Sequence, residues 1–182
     1  NKAVSSAMNY ISTVSYAGIE SDKLTRTAGN DIAVLSRIYD WCYDLLTSDQ
    51  KNSIIAKCQE IAFQLEIGWP PENLSSVTGF GAEGALQNYL LTMAIAVADE
   101  RPDVYNYVVG RIQDEFIPAR KILYASGESL QGTRYGTYRG QHDLTAALLL
   151  STIGYGEDVY GEGLEDLVNW YIYARRPDGL LF

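Results

Sequence analysis

The stretch "NDIAVLSRIYDWCYDLLTSDQ", residues 30–50, decides how this chain is expected to fold. Its apolar residues recur every three or four positions, which is the spacing of an amphipathic helix. Thr47 and Gln50 then have the spacing of a capping box, so a second helix is expected to begin there and to end at Gly68. Residues 30–68 are therefore predicted to form an antiparallel helical hairpin. The predicted inward positions are Leu35, Ile38, Trp41, Cys42 and Leu45 in the first helix, and Ile54, Ile55, Cys58, Ile61, Ala62 and Leu65 in the second.

The same apolar spacing recurs along the rest of the chain. Helices are predicted at 82–99, from Pro102 to near Pro118, at 140–153 and at 163–174, with a weaker one at 2–16. No segment alternates as a strand does, so the fold class is all-α. Paired helices without a fixed sequence repeat favour an incomplete α/α toroid of antiparallel helical hairpins over a helical solenoid. The inward positions are Leu86, Tyr89, Leu90, Met93, Ala94 and Val97; Val104, Val108, Ile112 and Phe116; and Leu164, Leu167, Val168 and Tyr171.

Composition and charge bound the class of protein. The chain has 182 residues, 47% of them hydrophobic, and its net charge is −9. A single helical domain over 1–182 is predicted, and its end just after a helix predicts a fragment of a larger protein. The negative charge argues against nucleic-acid partners, and no apolar run is long enough for membrane insertion. Cys42 and Cys58 are expected to be buried free thiols, because the hairpin offsets them too far for a disulfide.

Two glycine-rich stretches interrupt the helical pattern and are expected to be loops at the edge of a cleft. They are "SSVTGFGAEGALQNY" at 75–89 and "SGESLQGTRYGTYRG" at 126–140. The second lies in a locally basic region and places Arg134 and Arg139 close to Tyr135. A tyrosine beside positive charge can act as acid or base, which is the chemistry that β-elimination of a uronic-acid polymer needs. Gly127 and Gly132 are predicted to let the backbone approach a sugar chain.

Other chemistries find less support in the sequence. His142 has no spaced partner for a metal site, and both a structural and a catalytic histidine remain open. Neither a phosphate loop nor a nucleophile elbow is present. A hydrolase would need two facing carboxylates, for which Glu83 and Glu128 are the pair to consider.

Three segments resemble one family in order and spacing. They are "TGFGAEGALQNYLLTMAIAVADERPDVYN", "VGRIQDEFIPARKILYASGESLQGTRYGTYR" and the terminal "RRPDG". Together with the hairpin they make residues 30–182 similar to the heparinase II/III-like polysaccharide lyases, which are secreted bacterial enzymes. The resemblance implies an α/α toroid followed by β-sandwich domains outside this chain. It also implies a periplasmic or secreted location.

The resemblance implies roles for particular residues. Tyr135 falls at the family's tyrosine acid/base, Glu83 at its glutamate, and Arg139 at a nearby basic position. Phe80 and Leu130 stand where the family has histidines, which puts specificity for heparin in doubt. The predicted catalytic residues are thus Tyr135 and Glu83, and the predicted substrate-binding residues are Arg134, Arg139, Gln131 and Phe80.

The function expected from these residues and this resemblance is a polysaccharide lyase. Its partner would be an acidic, uronic-acid-containing polysaccharide such as a glycosaminoglycan, and oligomers are allowed. No cofactor is expected in this chain, while the resemblance allows a metal in the β region outside it. The fragment alone is expected to be inactive without the rest of the protein. The open alternatives are a catalytically impaired glycan-binding relative and a helical protein-interaction scaffold.

Overall fold

The structure, a computed structural model, describes residues 2–16, 21–65, 69, 77, 82–128, 132–156 and 158–179. Of residues 21–27, 82, 83 and 134 it describes the backbone alone. The described residues are helical and contain no strand, which confirms the all-α class. The arrangement of these helices as a toroid stays a prediction. The α-helices are α1 (Lys2–Thr13), α2 (Ser21–Trp41), α3 (Ser48–Gln64), α4 (Leu91–Ala96), α5 (Pro102–Arg111), α6 (Ile117–Leu123), α7 (Gly132–Thr152) and α8 (Gly163–Tyr173).

The chain divides into two compact units, residues 1–110 and residues 111–182. In the first unit, α2 packs against α3 and against the segment that contains α4, while α1 contacts both α2 and α3. The predicted capping box is present at the start of α3. Thr47 Oγ1 accepts from the Gln50 amide at 3.3 Å, and the Gln50 side chain accepts from the Thr47 amide at 3.0 Å. All six inward positions predicted for this helix are buried, five of them within α3 and the sixth, Leu65, at its C-cap.

The end of α2 differs from the prediction. The α-helix stops at Trp41, and a single 3₁₀ turn, Tyr43–Leu45, follows it. A 3₁₀ turn advances about 120° per residue instead of 100°, so the apolar stripe of α2 does not continue through it. As a result Leu45 is 58% exposed, although it was predicted to face inward. Trp41, the last residue of α2, is 78% exposed, also against the prediction.

The third predicted helix, 82–99, exists but is not a uniform α-helix. A π-helix, Ala82–Leu90, precedes α4 (Leu91–Ala96). Its inward positions are nevertheless all buried as predicted. The Tyr89 ring lies so close to α2 that a Cβ added at Gly29 would be 2.1 Å from it, so only glycine permits this helix contact.

The helix that begins at Pro102 does not end at Pro118. A π-helical segment, Ile112–Phe116, precedes α6, and Pro118 lies in the first turn of α6. Proline lacks an amide hydrogen, and at the start of a new helical segment that hydrogen is not needed. The four predicted inward positions of this helix are fully buried.

The second unit corrects the prediction of a loop at 126–140. Helix α7 begins at Gly132, eight residues before the predicted start, so the whole of "GTRYGTYRG", residues 132–140, is helical. Gly127 and Gly132 have φ of 68° and 63°, conformations that glycine adopts without strain. A Cβ at Gly127 would lie 2.7 Å from that of Asp166, so this glycine packs against α8. In α8 itself Leu167 is buried as predicted, while Val168 is 65% exposed against the prediction.

Candidate functional site

The first turns of α7 place Tyr135 and Arg139 on one helix face. They are four residues apart, and the Arg139 guanidinium carbon lies 5.6 Å from the centre of the Tyr135 ring. Tyr135 is 51% exposed, so its hydroxyl can reach a ligand in solvent. Their spacing of four residues places them on one face because this segment is helical and not the predicted loop. What the geometry offers is an exposed phenol next to a fixed positive charge.

His142 lies one further turn along the same face. It is 6% exposed and meets the edge of the Tyr138 ring, with the ring centres 5.8 Å apart. Burial lowers the pKa of His142, Asp143 raises it, and Arg139 lowers it further. The imidazole is therefore neutral at pH 7. Its burial against another ring favours the structural interpretation of this histidine over the catalytic one.

A buried polar cluster anchors the middle of α7 to α6. Arg120 Nε donates to both carboxylate oxygens of Asp143, at 3.0 and 2.9 Å, and the Tyr124 hydroxyl donates to the same carboxylate. Arg120 and Asp143 are almost fully buried. Burial and the negative charge of Asp143 raise the pKa of Tyr160, which lies beside them. Asp143 is four residues beyond Arg139 on α7. The cluster therefore fixes the rotation of α7 about its axis, and with it the direction in which Tyr135 and Arg139 point.

Sequence reasoning missed this cluster. The basic excess between Arg111 and Arg139 was expected to make this region positive. In the structure Arg111 is buried and pairs with Glu115 at 3.1 Å, and Arg120 pairs with Asp143. Two of the basic side chains in this range are thus paired with acids inside the fold; the five are Arg111, Arg120, Lys121, Arg134 and Arg139. The sequence signal that could have revealed the pair is that Arg120 falls at a buried position of α6 and that an acid, Asp143, falls next to His142 on α7.

The remaining predicted site residues are described in part or lie outside the described residues. For Glu83 and Arg134 the structure gives the backbone alone, Glu83 in the π-helix of the first unit and Arg134 in α7 of the second. Phe80, Leu130 and Gln131 lie outside the described residues. The π-helix that contains Glu83 is notable, since π-helical turns are rare and occur often at functional sites.

Two concave surfaces lie among the described residues of the second unit. A groove of about 480 Å³ is lined by polar and apolar side chains, among them Gln113, Lys121, Tyr155 and Asp158. The Tyr155 hydroxyl donates to Gln113 Oε1 at 2.9 Å, which holds the phenol at the edge of the groove. An apolar groove of about 180 Å³ lies between α7 and α8. The exposed apolar side chains on these two helices are Leu144, Leu148, Val168 and Ile172.

No group of three or more histidine, cysteine or acidic side chains in the described part of the chain has the geometry to hold a metal ion. None of the described helices combines the length and apolar character that a bilayer crossing requires. Both cysteines are free, Cys58 buried and Cys42 half-buried.

No protein-family model matches the chain, and no curated protein matches it.

Proposed function

We propose that the chain is part of a polysaccharide lyase that cleaves an acidic polysaccharide by β-elimination. The observation that supports this best is the exposed Tyr135 phenol beside the Arg139 guanidinium on the first turns of α7. The similarity of the surrounding sequence to heparinase II/III-like lyases points to the same residues. In this proposal the substrate is a uronic-acid polymer such as a glycosaminoglycan.

The reaction assigns separate tasks to the side chains. A base takes the proton next to the sugar carboxylate, the electrons of that C–H bond form the double bond between C4 and C5, and the C4–O bond breaks. Tyr135 donates a proton to the departing glycosidic oxygen, and as a phenolate it could also be the base. Arg139 pairs with the substrate carboxylate and stabilises the charge that develops on it. Glu83 orients the substrate or a partner side chain, and Arg134, Gln131 and Phe80 contact the sugar.

The helical start of α7 gives this arrangement its rigidity. A loop would leave Tyr135 and Arg139 free to separate, whereas a helix holds side chains at i and i+4 together. The buried Arg120–Asp143 pair keeps that helix in one rotation. Proton transfer depends on such fixed positioning, because a displacement of about 1 Å can cost roughly 100-fold in rate.

A catalytically impaired glycan-binding relative is the nearest alternative. It is favoured by Phe80 and Leu130, which stand where the resembling lyases have histidines. Such a protein would bind an acidic oligosaccharide through Arg139 and would release no unsaturated product.

A helical interaction scaffold is the second alternative. It is favoured by the apolar groove between α7 and α8, which the exposed side chains of Leu144 and Val168 line. Retention of the chain on immobilised heparin or hyaluronan, lost in Arg139→Ala, would support glycan recognition. No retention on either, by a folded chain, would favour the scaffold.

The proposal is tested by assaying the protein at its full natural length, including any residues outside 1–182. The substrates are heparan sulfate, chondroitin, hyaluronan, alginate and pectic polymers, and the readout is the ultraviolet absorbance of the new double bond. We expect a signal on at least one polymer. Silence on all of them, with the protein folded and divalent metal supplied, would contradict the lyase and leave the binding relative.

A further inference from the structure

A cavity of about 300 Å³ lies between α1 and α2 in the first unit, and it has no part in the proposed elimination. Its volume is at the lower end of the range for small-molecule sites. Most of its wall is apolar, and only a few polar groups converge on it. The lining residues that matter here are Ala7, Val34, Leu35 and Ile38, together with Tyr10 and Asp31.

The polar end of this cavity is a carboxylate held by two phenols. Asp31 Oδ2 accepts from Tyr10 at 2.5 Å and from the Tyr16 hydroxyl, and the two hydroxyls are 2.6 Å apart. Burial raises the pKa of both tyrosines, and the hydrogen bond to Asp31 raises it further, so both remain protonated donors. Asp31 is thereby fixed as the acceptor in this cluster.

One oxygen of Asp31 remains available to a ligand. Both hydrogen bonds go to Oδ2, and Oδ1 accepts none from any residue that the structure describes. The two donors are neutral, and none of the cationic side chains that the structure describes pairs with Asp31. An anion at the end of an apolar cavity attracts a cation, because Coulomb attraction is stronger where water is partly excluded. The Tyr10 ring adds an aromatic face that can also interact with a cation.

We propose that this cavity binds a small organic cation, a primary ammonium attached to an apolar body. The ammonium group donates to Asp31 Oδ1, and the hydrocarbon part fills the space between Ala7 and Leu35 at the floor and Val34 and Ile38 at the rim. The net charge of −9 on the chain raises the local concentration of any cation and favours its association. This inference does not rest on the proposed lyase activity.

The test titrates hexylammonium into the 182-residue chain by calorimetry, with hexanol and hexanoate as neutral and anionic ligands of the same length. We expect hexylammonium to bind about tenfold or more tightly than hexanol. Both can donate a hydrogen bond to the Asp31 carboxylate, but only the ammonium adds Coulomb attraction between opposite charges. Hexanoate should not bind. Equal affinity for the amine and the alcohol would overturn the proposal, as would the absence of amine binding.

Two variants locate the site. Asp31→Asn keeps an acceptor for both tyrosines and removes the charge, so it should weaken amine binding about tenfold or more. Asp40→Asn, on the same helix but exposed, is its matched control and should change nothing. Val34→Phe fills the cavity from a half-exposed position and should abolish binding, while Leu148→Phe, exposed on α7, should not.

Other outcomes assign the cavity differently. Amine binding that survives Asp31→Asn would overturn the proposal. If Val34→Phe changes the sedimentation of the chain and leaves amine binding unaltered, the cavity between α1 and α2 is a contact surface between copies of the chain, and the proposal fails. Circular dichroism of each variant establishes that it is folded.

Discussion

Removal of Arg120 is predicted to destabilise the second unit strongly. Arg120 and Asp143 are only 2% and 6% exposed at their side chains, and the guanidinium donates to both carboxylate oxygens. Arg120→Ala leaves the carboxylate buried without its cation. The cost of an uncompensated buried charge is about 3–5 kcal/mol. That is a large part of the roughly 5–15 kcal/mol by which folded proteins are stable.

The matched control is an ion pair of the same residue types at the surface. Arg101 and Asp103 also form a two-bond contact, at 2.9 and 2.7 Å, but their side chains are 26% and 52% exposed. Pairs of this kind contribute about 0–1 kcal/mol. Arg101→Ala should therefore change the free energy of unfolding by less than a third of the Arg120→Ala effect.

Urea denaturation followed by circular dichroism measures both variants under the same conditions. An apolar replacement of the whole cluster, Arg120→Met with Tyr124→Phe and Asp143→Leu, separates charge from packing. Because it leaves no buried charge, it should recover most of the lost stability. If Arg120→Ala costs no more than Arg101→Ala, or if the triple variant is as unstable as the single one, the argument from buried charge is refuted.

Three further predictions concern glycine packing, a histidine and the thiols. Gly29→Ala should lower the free energy of unfolding by about 1–3 kcal/mol, because the added Cβ would meet the Tyr89 ring. Gly110→Ala, at a helical position with open space around it, should raise the free energy of unfolding by up to about 1 kcal/mol. Equal effects of the two substitutions would contradict the close contact at Gly29. Burial lowers the pKa of His142, so the contribution of the neutral imidazole to stability is complete above about pH 6.5 and is lost as the pH falls. His142→Gln should therefore reduce the difference in the free energy of unfolding between about pH 8 and about pH 5. An unchanged difference would contradict the burial of this histidine. Burial raises the pKa of the Cys58 thiol to about 12, so iodoacetamide at neutral pH should modify Cys42 first. Equal rates of modification of the two cysteines would contradict the burial of Cys58.

Helical periodicity predicted the core well because burial depends on which face a residue occupies. The six inward positions at 86–97 are buried even though part of that segment is a π-helix. The prediction failed where the helix type changed near its end. The capping box at Thr47 correctly marked the start of α3, but nothing in the sequence marked the 3₁₀ turn that contains the exposed Leu45.

The start of α7 shows why glycine misled the interpretation of 126–140. Glycine disfavours a helix in isolation by about 1 kcal/mol per residue. In the folded chain Gly136 and Gly140 are buried, and Gly140 approaches Leu167 of α8. Close packing between helices favours small residues and outweighs their intrinsic preference. That compensation is tertiary, so local sequence could not reveal it.

The candidate site was predictable only in its local part. The pairing of Tyr135 with Arg139 follows from a spacing of four residues once the segment is helical. The Arg120–Asp143 pair joins residues 23 positions apart, and the Tyr10–Asp31 contact joins residues 21 apart. Contacts of that separation depend on how the helices pack, which residue spacing does not encode.

The central claim is that Tyr135 transfers the proton in an elimination reaction. The most direct measurement compares Tyr135→Phe with Tyr138→Phe, a matched change three residues along α7 at a side chain that is 46% exposed against 51% for Tyr135. Both are assayed in the full-length protein on the polymer that it cleaves, by the absorbance of the unsaturated product. Loss of acid–base catalysis predicts a rate reduction of about 100-fold or more for Tyr135→Phe and little change for Tyr138→Phe. Elimination that proceeds undiminished in Tyr135→Phe would contradict the claim.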